Sequence, residues 1–408
     1  SPQYLIPILM ILEEDFTAQQ IKDFLALFDK LVPVPFDTGS NALNTAKYAI
    51  GSALLQNDVK KVIKMQNLVE SSYLYVDNGR NIKEYAKAPE KTKGQGFYTD
   101  GSYVFHTLHP MNGTYGREQF NLIGPFLSIF AGTAFEITTP QADNVAGWIY
   151  NAFDPLIYQG SMFRMVMGRY PESLRNAGNS LIGGMLDALD SMNASDQAKV
   201  KAIIKGHVQE GCGVNYYTAL TLPQAIRLSK VMKDDTIQPR KELVTNHVYH
   251  NQDKVVHQRG SYALGVSMSS SRIFNYESIN NLNMTGWYIS DGMTEYRVKG
   301  NSRQAEDTYW RYIDPYRLPG ITVDTQERKA VSIAQGNEYL SDKDFVGAVS
   351  LDDTYGTAAM WLESYHNSDS TGATGGDYGG AAPAHDSNLQ AKKAYFMFDD
   401  EVVCLGAD

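Results

Sequence analysis

His106 and Tyr115 stand nine residues apart, and Pro110 and Gly113 between them favour a turn. Such a turn would bring an imidazole and a phenol to one side of a cleft, a pairing suited to moving protons. Neutral histidine accepts a proton near neutral pH, whereas a phenol with an ordinary pKa of about 10 needs help. A guanidinium in the same cleft would favour the phenolate and make Tyr115 a usable base. Alone, the pair is equally a packed histidine and a core tyrosine, because the chain carries 26 tyrosines.

Three further segments can be read into the same site. Asn41 closes Thr38-Gly39-Ser40-Asn41, just ahead of a helix expected over 42–55. It suits a helix N-cap, or an amide donating to a substrate carboxylate on which charge accumulates. Arg164 and Arg169 sit among apolar residues, where each cation needs an anion, either an internal carboxylate or the substrate. Asn275, Glu277 and Asn280 follow in one polar run. As a strand, that run would put Asn275 and Glu277 on one face, with Glu277 placed to orient an arginine or the histidine across a domain interface. The candidates are therefore Asn41, His106, Tyr115, Arg169 and Glu277 for chemistry, and Arg164, Asn275 and Asn280 for binding.

Other chemistries fit less well. His247, His250 and His257 cluster with Asp253, but the His-x-x-His spacing matches neither a helical HExxH site nor a cysteine-based zinc site. No G-x-S-x-G elbow is present. The glycine-rich tract Gly372–Gly380 runs into Ala-Ala-Pro instead of a lysine-headed helix, so it reads as a surface loop and not a phosphate cradle.

The elements that must position these residues divide in two. A chain of 408 residues exceeds one ordinary core, and a helical part over 1–238 and an antiparallel β part over 239–408 are expected. Thr17 to Gln20 has capping-box spacing after Phe16, a candidate staple to Ile21. Ile21, Phe24, Leu25 and Phe28 then mark one apolar face. A helix from Asp58 would bury Val59, Val62, Ile63 and Val69. Further helices are expected over 120–130, 144–158, 179–192, 196–206 and 222–232. Past Thr236 to Pro239 the chain turns β-like, with strands expected at 255–257, 262–268, 287–289, 295–298 and 394–398. Strands in succession without helices between them indicate antiparallel sheets in sandwich form.

Net charge is -10, from 36 basic and 46 acidic side chains, the wrong balance for a nucleic-acid binder. The apolar run 122–131 is interrupted by Gly124, Pro125 and Ser128 and falls short of a membrane span. Two cysteines make no disulfide framework. Ser1 to Pro7 reads as neither a signal peptide nor a natural start.

Together these segments resemble the polysaccharide lyases that include hyaluronate lyase, chondroitin AC lyase and xanthan lyase. Thr38-Gly39-Ser40-Asn41 is similar to that family's T-G-A-N, and Gly96 to His106 to its G-F-Y-x-D-G-S-F-x-x-H. Tyr115 within Gly113-Thr114-Tyr115-Gly116 meets its G-x-Y-G. Met268 to Ile273, Asn275 to Asn280, Gly286 to Tyr288, Asp291 to Thr294, Asp314 to Gly320, Ala391 to Lys393 and Phe396 to Glu401 extend the likeness over most of the chain. Two departures stand out. The family's paired arginines sit in G-R-x-I-S-R; Arg169 fits the second, while Arg164 is one place out of register. The aromatic N-W-W-x-x-E-I-G segment that would precede Ser1 is missing, so the chain is expected to be an internal portion of a longer enzyme.

The resemblance implies an incomplete (α/α) toroid followed by antiparallel β-sandwich sheets. It implies β-elimination beside a uronic acid, with Asn41 neutralising the carboxylate and Tyr115, or His106 for the opposite stereochemistry, taking the C5 proton. Hyaluronan or chondroitin is the expected substrate. The alternatives are xanthan or another acidic microbial polysaccharide, and a carbohydrate-binding protein without catalysis. No cofactor is required, and a structural calcium ion is left open. The expected partner is the acidic polysaccharide, with no nucleic acid. A monomer, with further segments of the same precursor, secreted or on the surface of a bacterium, completes the expectation.

Overall fold

A computed structural model describes residues 2–32, 39–78, 94–106, 108–137, 141–211, 215–301, 306, 308–324, 326–328, 330, 340–341, 343–363 and 387–407. Thr38, Cys212 and the glycine-rich tract lie outside the described residues.

The N-terminal half is built from helices α1 (Pro2–Ile11), α2 (Ala18–Leu31), α3 (Gly39–Leu55), α4 (Val59–Ser71), α5 (Arg117–Phe130), α6 (Gln141–Gly147), α7 (Leu174–Ala188), α8 (Ala194–Glu210) and α9 (Leu222–Met232). Their starts follow the sequence signals. The Thr17 hydroxyl accepts from the Gln20 N–H while the Gln20 side chain returns to Thr17, and Asp58 accepts from the Lys61 N–H. Phe16 and Ile21 meet in the small cluster around Leu25 and Phe28, as the staple requires. On α4 the buried face is Val62, Met65, Leu68 and Val69, whereas Val59 and Ile63 are exposed. The expected stripe was rotated, because β-branched residues near the helix start were weighted over Met65 and Leu68, which carry the packing.

Two short sheets interrupt the helices, and periodicity did not announce them. Strands β1 (Gly96–Phe97), β2 (Tyr103–Phe105) and β3 (His109–Pro110) form one, and β4 (Ile157–Tyr158) with β5 (Ser161–Met162) forms the other. The helix expected over 144–158 is α6 continued by a π-helical turn, Trp148–Phe153, before the chain extends into β4.

The C-terminal half holds two antiparallel four-stranded sheets. The first orders β6 (Thr245–Tyr249), β7 (Lys254–Gln258), β8 (Tyr262–Ser267) and β9 (Met293–Val298). The second orders β10 (Val346–Leu351), β11 (Tyr355–Glu363), β12 (Gln390–Met397) and β13 (Val402–Ala407). Val255, Leu264, Val266 and Met268 of the first pack on Ala358, Met360, Leu362, Tyr395 and Met397 of the second, a face-to-face sandwich. Trp287, Tyr288 and Ile289 are not a strand. They lie in consecutive turns and pack, buried, with Tyr276, Trp310 and Leu318.

Polar contacts join the halves around residues 100–112. The Gln252 amide donates to the Tyr103 carbonyl and to Asn112 Oδ1 (both 2.6 Å), His247 Nε2 meets the Asp100 carbonyl at 2.8 Å, and the Phe274 N–H reaches the Leu108 carbonyl at 3.2 Å. The loop bearing His106 is thereby held from both sides.

Candidate active site

Tyr115 lies in a π-helical turn, Asn112–Gly116, that leads into α5. Asn112 fixes this turn. It is fully buried, accepts from the Tyr103 N–H (3.1 Å), and donates to the Gly101 and Ala152 carbonyls (2.9 Å each). His106 ends β2 in a left-handed conformation, φ 45°, uncommon for a residue with a Cβ. Phe105 stacks on Tyr115 with centroids 4.7 Å apart, and the His106 and Tyr115 rings are also 4.7 Å apart. The imidazole and phenol thus share one wall.

Asn41 reaches that wall through α3. The helix begins at Gly39, so Asn41 falls within the first turn and is no N-cap. Gly39 has φ +61°, and a Cβ there would lie 2.7 Å from the Phe105 ring and 2.9 Å from the Tyr103 hydroxyl. Only glycine allows this approach. Glu118 then ties α3 to α5, accepting from Ser40 Oγ (3.3 Å) and Asn44 Nδ2 (2.8 Å).

Glu277 arrives from the β half. Its Oε1 accepts from Arg169 Nη1 (3.0 Å) and meets His106 Nδ1 at 2.7 Å, and its Oε2 accepts from the Arg169 N–H (2.8 Å). Gly168 makes room, since a Cβ there would lie 2.6 Å from Oε2. Arg169 Nη2 passes the chain on, donating to the Tyr115 hydroxyl at 3.1 Å. Burial would raise the Glu277 pKa, but the His106 hydrogen bond and the charges of His109, His106 and Arg169 hold it below the usual value. An ionised carboxylate can only accept, so His106 Nδ1 is the donor in this contact.

The phenol corrects an expectation. Burial pushes the Tyr115 pKa above its ordinary value, and the hydrogen bond and charge of Arg169 offset only part of that rise, with Glu277 and Glu118 opposing it. Tyr115 is therefore neutral at rest, and the guanidinium does not by itself produce a phenolate.

A cleft of about 400 Å³ opens beside this array, lined by Asn41, Tyr115, Arg117, Arg169, Tyr170 and Asn176 among others. Asn41 and Tyr115 face one space. Glu277 is buried behind the lining, while His106 packs on Tyr115 at its edge and keeps its side chain 15% exposed. Arg164, Asn275 and Asn280 are not brought to it. Arg164 is buried, its Nη1 donating to the Pro171 carbonyl (2.7 Å) and its guanidinium over the Tyr309 and Trp310 rings. Asn275 is buried in a loop instead of a strand, with Nδ2 on the Trp287 carbonyl (3.1 Å). Asn280 is exposed at a turn with φ 57°. Arg117, Glu118, Ser173 and Asn176 were not singled out from sequence, where nothing separates them from ordinary helix-surface residues.

The histidine cluster disperses. His257 Nε2 meets the Phe398 carbonyl (2.7 Å), and Asp253 accepts from Arg272 Nη2 (2.7 Å) and Ser270 Oγ (2.5 Å).

Comparison with known proteins agrees with this architecture. Residues 1–206 match the polysaccharide lyase family 8 N-terminal α-helical domain, and residues 244–408 match that family's super-sandwich domain. The chain belongs to polysaccharide lyase family 8. It is 30% identical to a xanthan lyase of Bacillus sp. (strain GL1), covering 100% of this chain and 40% of that protein. It is 27% identical to a hyaluronate lyase of Staphylococcus aureus, covering 100% of this chain and 48% of that protein. The structure of a Streptomyces coelicolor chondroitin AC lyase in complex with chondroitin sulphate superposes with a TM-score of 0.83 at 26% identity, over 100% of this chain and 53% of that one. The chain thus spans less than half the length of these two curated relatives. No helix among the described residues is long and apolar enough to cross a membrane.

Proposed function

We propose that this chain carries the catalytic centre of a lyase that cleaves a uronic-acid glycosaminoglycan, hyaluronan or chondroitin, by β-elimination. The observation that carries the reading is the continuous array His106–Glu277–Arg169–Tyr115 ending at a cleft that Asn41 also lines.

The C5 proton of a uronate is weakly acidic, and its removal drives charge onto the neighbouring carboxylate. The Asn41 amide donates to that group as the charge grows, a role in which one donor contributes about 3 kcal/mol to the transition state. Tyr115 serves the leaving oxygen as acid, a task its neutral resting form suits. The base follows from sugar stereochemistry. Where the proton lies on the face of Tyr115, the phenolate takes it, stabilised by the Arg169 hydrogen bond. Where it lies on the other face, His106 Nε2 takes it, with Glu277 holding the tautomer. The bond to O4 then breaks, leaving a C4–C5 double bond. No water adds, and no cofactor enters these steps.

A xanthan-type acidic polysaccharide is the second reading, favoured by the 30% identity to a xanthan lyase across the whole chain. Such polysaccharides are met outside the cell, and the proposal extends to a secreted or surface location on a bacterium. The test is a panel of hyaluronan, chondroitin and xanthan incubated with the protein. Ultraviolet absorbance from unsaturated ends on a glycosaminoglycan is expected; its absence on every polymer would refute the reading.

A further inference from the structure

Arg117 opens α5 two residues beyond Tyr115 and lines the same cleft. It is half-buried, and burial pushes its pKa below the ordinary arginine value, with the charge of Glu118 opposing the fall. Among the described residues its guanidinium has no hydrogen-bond acceptor and no carboxylate at ion-pair distance. Arg169 differs, because Glu277 and Tyr115 engage it. The Glu118 carboxylate is occupied by Ser40 and Asn44. A partly desolvated cation at a ligand cleft is costly until an anion meets it. Ser173 and Asn176 bring short polar side chains to the same lining. The reacting uronate's own carboxylate is assigned to Asn41, which leaves Arg117 for a different group.

We infer that Arg117, with Ser173 and Asn176, is a specificity determinant that receives a second anionic group of the substrate, on a sugar flanking the scissile bond. This inference rests on the lyase reading. An oxyanion recognised by a guanidinium fits two sources, a sulfate ester or a ketal-linked carboxylate.

The experiment measures kcat and KM for wild type, Arg117→Gln and Arg117→Lys on matched polymers. The pairs are chondroitin 4-sulfate or 6-sulfate against unsulfated chondroitin, and pyruvylated against depyruvylated xanthan. The wild type is expected to favour the anionic member of one pair by about 10- to 100-fold, the range of a charge-assisted contact. Arg117→Gln should erase that preference chiefly through KM, and Arg117→Lys should keep part of it. Which pair responds identifies the group. An equal fall on both members of a pair by variants whose melting temperature matches the wild type overturns the inference, as does a wild type without preference. No unsaturated product from any polymer would defeat the lyase reading, and this inference with it; turnover without anion preference defeats the inference alone.

Discussion

Two buried glutamates of the β half, Glu277 and Glu295, grip the same stretch of the helical half, and only Glu277 is linked, through Arg169, to the cleft. Glu295 Oε2 accepts from the Arg164 N–H (2.6 Å) and the Met165 N–H (3.3 Å), and Oε1 from Arg297 Nη2 (3.2 Å). Arg297 also donates to the Ser161 and Met162 carbonyls (2.8 and 2.6 Å) and lies over the Phe163 ring. Both side chains of that pair are buried. Glu277 likewise accepts from a backbone N–H and a guanidinium, but its arginine hands a hydrogen bond to Tyr115 and its third partner is a histidine. A buried carboxylate of the β half that accepts backbone N–H groups of the helical half is therefore a structural device in both places, paired with a guanidinium of its own strand at Glu295 and with one from across the junction at Glu277. The difference is that one end of the Glu277 array opens on the cleft, through Tyr115.

The largest effect that can test this contrast is Tyr115→Phe. It removes one oxygen at the cleft end of the open array and should lower kcat by about 10²- to 10⁴-fold while oligosaccharide binding and the melting temperature persist. Truncating either glutamate comes next. Glu277→Ala and Glu295→Ala each leave a buried arginine uncompensated, at a cost of about 3–5 kcal/mol in urea unfolding. The conservative Glu277→Gln and Glu295→Gln separate the two. The first should depress turnover in excess of its stability loss, and the second should not; equal effects would erase the distinction. Asn41→Ala should lower kcat by about 10²- to 10³-fold with a folded, substrate-binding protein, read by single-turnover kinetics.

The smallest effect is the pH slope. Because the Tyr115 pKa is raised, the phenolate fraction grows about tenfold per pH unit above neutrality, and kcat/KM on the substrate that uses it should climb accordingly. A plateau near neutral pH would assign the base to His106 instead. On the acid side, the folded pKa of Glu277 lies below its unfolded value of about 4.3. Its stabilisation is present above that value and is lost as pH falls through the folded pKa, so Glu277→Gln should flatten acid unfolding there.

Much of this was legible in the residues. Capping at Thr17, the helix start at Asp58, the bounds of α9, and most strands of the first sheet follow from local signals. His106, Tyr115, Arg169 and Glu277 were named from residue type and motif, and the structure brings them within contact. What local pattern could not reveal was partnership at long range. Arg164 and Arg169 look alike as cations among apolar residues, yet one is buried on the Pro171 carbonyl and the other bridges to Tyr115. Asn275 and Glu277 were paired as one face of a strand, but the segment is a loop, and Asn275 is consumed by the Trp287 carbonyl. Trp287 to Ile289 has strand composition because its side chains are buried, which a turn cluster can also achieve. Arg117 was passed over for a related reason: an arginine opening a helix is ordinary until its neighbours are seen to leave it without an anion.

Bond cleavage is proposed to proceed by elimination through Tyr115, with no water added. Mass spectrometry of the products formed in ¹⁸O-labelled water tests it directly. The prediction is a new non-reducing end lighter by one water than a hydrolysis product, no ¹⁸O in either fragment from the cleavage itself, and loss of that product in Tyr115→Phe. Saturated fragments carrying ¹⁸O, or undiminished cleavage by the phenylalanine variant, would contradict it.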